Sequence, residues 1–505
     1  MSLIRKNIIA NFAGSIWQTL LSLIFIPLYI KFIGIESWGL IGIFGTIQVM
    51  FGLLDMGLSG TINREMARLS ALPDKGQEMR NLVRTLEVLY WGIAVLVAVI
   101  ILSLSPVIAH HWINGSKLSS QTVEQALLIM GFVVALQMPI GFYKGGMTGL
   151  QKQVLLNITN MVMSTLRGAG AVFILWRVSQ TIQAYFLWQI IISVINNIVL
   201  ALLLWRILPF SKERAVFQKR LLKGIWKFAA GMSGITILSV ILTQIDKVIL
   251  SKMLSLENFG YYTLASMIAL SLVRLITPVF SSIYPRFTQL VSINAEKELT
   301  LLYHKASQFA SVLLLPFAII IALFAYEIIL IWTHDSIIAE KSHRILSIMI
   351  CGSAINGIMY LPYALQLANG WTNLSVLKNI IAVIIIVPLI IYLTIHYGAI
   401  GAAIAWFILN IGLFFIEIPV MHHRLLINEK WQWYWKDVCI PLMACMVIAG
   451  FARIFISGSF NQFVMPFYIF FIFLLMLLAT IITTPTTRTW SLEQIMKIKI
   501  SLQVK

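Results

Sequence analysis

Residues Phe463 to Thr484 read FVMPFYIFFIFLLMLLATIITT, an unbroken run without a charged side chain. At about 1.5 Å of rise per residue, a helix of this length spans about 30 Å, the thickness of a bilayer's hydrocarbon core. A membrane barrel strand would show about ten residues of alternating polarity instead. Hydrocarbon offers no partner for a backbone N–H or C=O, so such a run must close its hydrogen bonds internally as an α-helix.

Moving outward from this stretch, similar runs fill the rest of the chain. They are Ile8–Ile30, Trp38–Gly60, Leu86–Ala109, Ala126–Met147, Val154–Trp176 and Tyr185–Trp205 in the first part. Trp226–Leu250, Phe259–Ile283, Ser307–Trp332, Ile345–Leu367, Leu374–Ile395, Ala399–Val420 and Val438–Ser457 follow. The composition agrees: of 505 residues, 59% are hydrophobic and 11% charged, whereas soluble domains carry about 25% charged residues. The expected class is all-α, a polytopic membrane protein of about fourteen transmembrane helices. The run Ile8–Ile30 is too long for a signal-peptide core and lacks a clear cleavage site, so it reads as the first helix.

The net charge of +18 does not imply nucleic acid, because the basic residues are not gathered on a soluble face. With the N terminus inside, only Lys31, Lys117, Arg177, Lys252, Lys341 and Arg344 lie in outer segments. The other Lys and Arg outside the spans are cytoplasmic, as the positive-inside rule requires, and both termini are expected in the cytoplasm. Trp112, Trp176, Trp205, Trp226, Trp332, Trp431, Trp433 and Trp435 sit near span ends, as interfacial anchors would. Cys351, Cys439 and Cys445 lie within apolar runs, so neither a disulfide nor a metal site is expected.

The chain repeats itself. Phe32-Ile-Gly-Ile-Glu36-Ser-Trp38-Gly39 resembles Met253-Leu-Ser-Leu-Glu257-Asn-Phe259-Gly260 at an offset of 221. Val154-Leu-Leu-Asn157-Ile158 resembles Val376-Leu-Lys-Asn379-Ile380 at an offset of 222. Six spans separate the copies, so the two parts share one topology and should be related by an axis along the membrane normal. The expected organisation is two pseudo-symmetric six-helix lobes, 1–215 (helices 1–6) and 216–424 (helices 7–12), with a terminal helix pair and tail at 425–505. The basic stretch from Ser211 to Lys227 reads as the linker between lobes.

Ionisable residues within spans are costly and are therefore functional candidates. They are Lys144, Arg167, Lys247, Arg274 and Arg453, with Asp55, Asp246, Glu327 and Glu417. Lys144 and Glu417 lie near cytoplasmic ends and could snorkel; Arg453 could equally pair with a neighbouring helix. Arg167 and Arg274 fall near mid-span, where an unpaired Arg costs at least about 2.5–3.5 kcal/mol, and need a partner or a watery cavity. Asp55 and Arg274 occupy nearly equivalent places in the two repeats, which suggests a pair that forms in one transport state and parts in another. Asp246 and Lys247 diverge by about 100° on their helix, so only one of them can face a cavity; an Asp there could also bind a coupling cation. No glycine-rich phosphate loop, metal-spaced histidine pair or nucleophile elbow is present. His110-His111 and His422-His423 lie at membrane edges and read as solvated. No outer loop exceeds roughly twenty residues, which leaves no obvious place for an outer catalytic domain.

Leu54-Asp55-Met56-Gly57-Leu58, followed by Arg64-Glu65 and Arg68, resembles the end of the second helix in oligosaccharide flippases of the polysaccharide-biosynthesis family. Gln244-Ile245-Asp246-Lys247 before Glu257-Asn258-Phe259-Gly260-Tyr261-Tyr262 is similar to that family's seventh helix and turn, and Gly149-Leu150-Gln151-Lys152 matches as well. The resemblance covers about residues 5–420. It implies the multidrug/oligosaccharidyl-lipid/polysaccharide exporter fold in a bacterial inner membrane, with lobes enclosing a cavity that opens to each side in turn. The implied cargo is an undecaprenyl-pyrophosphate-linked oligosaccharide, such as an O-antigen or capsule repeat unit. Basic cavity residues map onto Arg167, Lys247 and Arg274; Asp246, Asp55 and Lys144 complete the cavity set, and Arg64 and Arg68 fall at a gate or cytoplasmic loop. No cofactor is expected. Coupling to a proton or sodium gradient is expected, with membrane lipids, a polysaccharide polymerase and a chain-length regulator as partners. A drug/cation antiporter of the same superfamily would favour acidic and aromatic cavity residues. A membrane polysaccharide polymerase would need longer outer loops, and a transport-inactive assembly scaffold is a further alternative.

Overall fold

The protein was analysed as a computed structural model, which describes residues 3–55, 58–70, 72–112, 118–455, 464–485 and 488. Among them, twelve helical segments are long and apolar enough to cross a membrane. The fourteen apolar runs of the sequence fall on these twelve, one of which holds two runs, and on one further helix. The first segment joins two expected spans in one long helix, α1 (Leu3–Gly52), bent at Gly34. There φ is 79°, a conformation that costs glycine nothing and other residues about 1–2 kcal/mol. The seventh run forms α7 (Lys219–Met253); the side chain of Trp226 lies outside the described residues.

Two compact units divide the chain, Met1–Gly260 and Tyr261–Lys505. In the first, α1 is followed by a 3-10 turn at Leu53–Asp55 and a short amphipathic helix α2 (Leu58–Ser70). Then come α3 (Gly76–Val107), α4 (Ser120–Gly149), α5 (Gln153–Arg177) and α6 (Ile182–Ile207). Helix α4 packs against α3 and α6, and α1 against α5. Ile62, Met66, Val83, Tyr90, Phe142 and Leu204 form a core from α2, α3, α4 and α6.

The packing boundary at Gly260 lies one helix beyond the boundary expected at 215. Helix α7 packs on α1, α2 and α3, and the two copies of the repeated turn meet. A Cβ on Gly39 would stand 2.4 Å from the Leu256 carbonyl oxygen, and one on Gly260 would stand 2.4 Å from that of Ile35. Position 35 corresponds to 256 and 39 to 260 in the repeat, so the contact is reciprocal, and only glycine fits at either point. At this end, expected from the sequence to face outside, Trp112 Nε1 donates to Ser251 Oγ at 3.0 Å and Lys252 Nζ to the His111 carbonyl. The Leu118 N–H donates to the Glu36 carboxylate at 3.4 Å.

The second unit continues α8 (Leu256–Ser292) into α9 (Glu296–Leu323), α10 (Ala325–Thr333), α11 (Ser336–Ile358) and α12 (Tyr360–Ala368). Helices α13 (Thr372–Tyr397) and α14 (Ala399–Leu425) follow. A short turn of helix α15 (Lys430–Gln432), a π-helical stretch (Trp433–Cys439), α16 (Ile440–Phe455) and α17 (Met465–Thr483) complete it. The terminal pair packs on α9. Phe317 and Phe473 meet at 4.5 Å between ring centres, and Arg453 pairs with Glu327. Arg453 thus acts as a helix pin, which removes it from the substrate candidates. Glu417 is equally structural: it is buried, accepts both a 2.9 Å contact from Lys378 and one from Gln366, and does not snorkel. Trp433, expected as an interfacial anchor, is fully buried and donates to Ser307 at 3.1 Å, whereas Trp431 and Trp435 are exposed. His422, expected to be solvated, is buried as well, while His423 is exposed.

Candidate functional site

On α5, Asn160, Ser164 and Arg167 are spaced four and three residues apart, which puts them on one face. Gln137, Ile140 and Lys144 share a face of α4 in the same way. These two faces, with Gln18 and Gln48 from the two arms of α1 and Asn196 from α6, line a cavity of about 270 Å³ inside the first unit. No Asp or Glu belongs to its lining among the described residues. Two cations therefore share a polar chamber whose other donors and acceptors are neutral amides and a hydroxyl.

The chamber is under-satisfied. Both amide atoms of Gln137 and Oδ1 of the buried Asn196 have no hydrogen-bond partner among the described residues. Leaving a buried polar atom unpaired costs about 1–3 kcal/mol, so such atoms mark a place where water or a ligand belongs. Among the described residues, the Arg167 side chain makes one long contact, Nη2 to Ser193 Oγ at 3.5 Å, at the limit of a hydrogen bond. Its fork is therefore available to a ligand. Its backbone is held firmly instead. Trp188 Nε1 donates to the Arg167 carbonyl at 3.2 Å, and the Tyr29 hydroxyl donates to the Gly168 carbonyl at 3.3 Å. Gly168 lets α1 come this close, since a Cβ there would stand 2.2 Å from the Phe25 ring.

Of the expected site residues, the structure brings together Arg167 and Lys144, the latter in place of the snorkelling role. The remaining ones lie elsewhere. Asp55 ends the 3-10 turn, where its carboxylate accepts from the Tyr90 hydroxyl and from the Ser59 hydroxyl at 2.7 Å. Lys247 folds back along α7 toward the Thr243 carbonyl and Gln244 Oε1, at 3.3 and 3.4 Å, and its neighbour Asp246 is half-buried. Neither lines the cavity. Arg274 is exposed on α8 in the second unit. Arg64 and Arg68 lie on the exposed face of α2, where Arg68 pairs with Glu65 at 2.7 Å; Met56 and Gly57 lie outside the described residues. Counting charges alone missed Gln18, Gln48, Gln137, Asn160, Ser164 and Asn196. The polar residues spaced three, four and seven apart on α4 and α5 were the readable signal. A larger hollow of about 530 Å³, bordered by Asp74, Lys75 and Lys152, lies among loops and contains none of the expected site residues.

A model of the family described as polysaccharide biosynthesis protein matches residues 4–291. A Shigella flexneri protein designated an O-antigen transporter is 22% identical over 440 residues, covering 87% of this chain and 99% of its own. A Yersinia pseudotuberculosis protein designated an O-antigen export protein is 22% identical over 271 residues, covering 50% of this chain and 59% of its own. Among solved structures, the lipid II flippase MurJ in an inward closed conformation superposes with a TM-score of 0.71 at 16% identity, covering 94% of this chain and 98% of its own. An inward-facing multidrug transporter of the MATE family gives 0.67 at 15% identity, covering 81% and 94%. The fold is that of a MurJ- and MATE-like polytopic transporter, and the chain belongs to the polysaccharide biosynthesis protein family.

Proposed function

We propose that this protein moves an undecaprenyl-pyrophosphate-linked oligosaccharide, an O-antigen or capsule repeat unit, from the cytoplasmic to the outer leaflet of a bacterial inner membrane. The observation that carries this reading is the acid-free cavity holding Lys144 and Arg167. Two uncompensated cations within a membrane domain suit an anionic group, and a guanidinium fork suits phosphate or carboxylate oxygens in particular. At about 270 Å³ the chamber is smaller than a typical whole-ligand pocket, so it would hold one charged group of the cargo, the pyrophosphate or an acidic sugar. The amides of Gln137 and Asn196 would supply hydrogen bonds to its oxygens. The family membership and the two relatives designated for O-antigen support the same cargo class.

Transport by alternating access fits the repeated turns. In this structure they are clasped at the expected outer end through Gly39 and Gly260, and outward release would require that clasp to open. No catalytic step is involved. Both termini would be cytoplasmic, a proton or sodium gradient would supply directionality, and a polymerase with its chain-length regulator would consume the product. The MATE-like fold also suits a drug/cation antiporter, but a cationic drug would meet two positive charges and no acid in this cavity.

A deletion strain complemented with wild type or Arg167→Ala, matched for membrane expression, tests the reading. Loss of surface polysaccharide with lipid-linked repeat units retained on the cytoplasmic face is the expected result. Normal surface polymer in the deletion strain, with altered drug susceptibility, would replace it with the antiporter reading.

A further inference from the structure

The second unit contains a buried ionisable cluster that the cavity does not use. His304 on α9 stands between two carboxylates: Nδ1 is 2.5 Å from Asp437 Oδ2, and Nε2 is 3.1 Å from Glu429 Oε2. Asp437 lies in the π-helical stretch before α16 and is fully buried. Its other oxygen accepts from Gln308 Nε2 at 2.9 Å. Glu429, in the segment before α15, keeps 29% of its side-chain surface exposed.

Hydrogen-bond valence restricts what this arrangement can be. A carboxylate oxygen accepts, and a neutral imidazole has only one N–H to give. Asp437 already faces two donors, and a buried carboxylate needs such donors to remain ionised. Glu429 is wetted. With both carboxyl groups ionised, the two contacts of His304 form together only when the ring carries protons on both nitrogens. The neighbouring His422 provides the contrast. Its Nδ1 donates to the Ile418 carbonyl at 2.9 Å and its Nε2 accepts from the Tyr303 hydroxyl at 3.2 Å, so the neutral ring satisfies both. Among the described residues, the other titratable or charged groups around this cluster are Tyr303 and Lys305 on α9, His422 on α14, Lys430 on α15, and Tyr434 and Lys436 in the π-helical stretch. Lys305 is exposed, and Lys430 lies over the Trp431 ring at 4.7 Å.

We propose that His304, Asp437 and Glu429 form a proton-binding site, at an edge the charge pattern places in the cytoplasm, whose bound proton ties α9 to the start of the terminal helix pair. The proton enters at Glu429 and resides on His304 as imidazolium. When it leaves, one N–H remains for Asp437, and the contact to Glu429 is lost. π-Helical turns of this kind are often found at functional sites. The site is independent of the cargo, so it would stand if the flippase reading failed.

Nitrogen-15 NMR of ring-labelled histidine in the full-length protein, in lipid bilayers between about pH 5.5 and 9, tests it. His304→Gln identifies the signal. The wild-type His304 ring should carry two N–H groups at neutral pH and lose one as pH rises, while His422 carries one throughout. In Glu429→Gln, the amide can itself donate to Nε2, and His304 should carry a single N–H at neutral pH. A wild-type His304 that holds one N–H across the whole range overturns the proposal without need of any variant. So does double protonation that Glu429→Gln leaves unchanged.

Discussion

Replacing Arg167 with alanine should separate cargo recognition from stability. The side chain's own protein contact, 3.5 Å to Ser193, is too long to contribute much. Its insertion into the membrane interior costs about 2.5–3.5 kcal/mol or more. Removing it should therefore leave thermal stability unchanged or slightly raised. Recognition should suffer, because a charge-assisted hydrogen bond to an anionic oxygen contributes about 1.5–3 kcal/mol, or roughly a 10- to 150-fold change in affinity. Arg167→Lys keeps the charge but loses the planar fork, and should fall between wild type and alanine. Binding of a purified lipid-linked oligosaccharide, measured alongside thermal unfolding, reads both quantities. Unchanged affinity in Arg167→Ala would refute the reasoning. An affinity loss matched by an equal loss of stability would refute it too, since the arginine would then be a structural strut.

Three further outcomes follow from the packing. Gly168→Ala places a methyl 2.2 Å from the Phe25 ring and should destabilise the protein by about 1–3 kcal/mol through overpacking; Phe25→Ala in the same chain should recover most of it by thermal unfolding. Glu417→Ala leaves the Lys378 ammonium without its 2.9 Å partner and should cost about 3–5 kcal/mol. The double replacement Glu417→Leu with Lys378→Met should recover most of that loss, and a double variant no better than the single one would contradict the pairing. Gly39→Val or Gly260→Val forces a side chain against a backbone oxygen 2.4 Å from its Cβ, and should speed amide exchange over residues 35–39 and 253–260. Exchange identical to wild type would mean that the repeated turns do not clasp.

The helical architecture was legible because lipid imposes a length and a composition on every span. Even Gly34, which bends α1 between two spans, lies within the repeated turn that the sequence displays. The lobe boundary was less readable. A repeat reports topology, but the packing of α7 on α1, α2 and α3 and the close approach at Gly39 and Gly260 are contacts that no one-dimensional pattern contains. In the cavity, charge singled out Arg167 and Lys144, because an ionised group in hydrocarbon needs a reason to be there. Neutral Gln137 and Asn196 cost less and do not stand out among other polar residues. Arg453 and Glu417 show the limit of that argument, since a partner on another helix, Glu327 or Lys378, meets the same need without any ligand. His422 and Trp433 were misread because a position near a span's end says nothing about which way the side chain turns.

The most direct test is transbilayer movement itself. Purified protein in proteoliposomes would be supplied with a labelled undecaprenyl-pyrophosphate-linked oligosaccharide in one leaflet, and its arrival in the other followed over time. Movement that requires the wild-type protein and disappears when Lys144 and Arg167 are both alanine is the predicted result. No movement of this lipid, with gradient-driven extrusion of organic cations by the same vesicles, would contradict it.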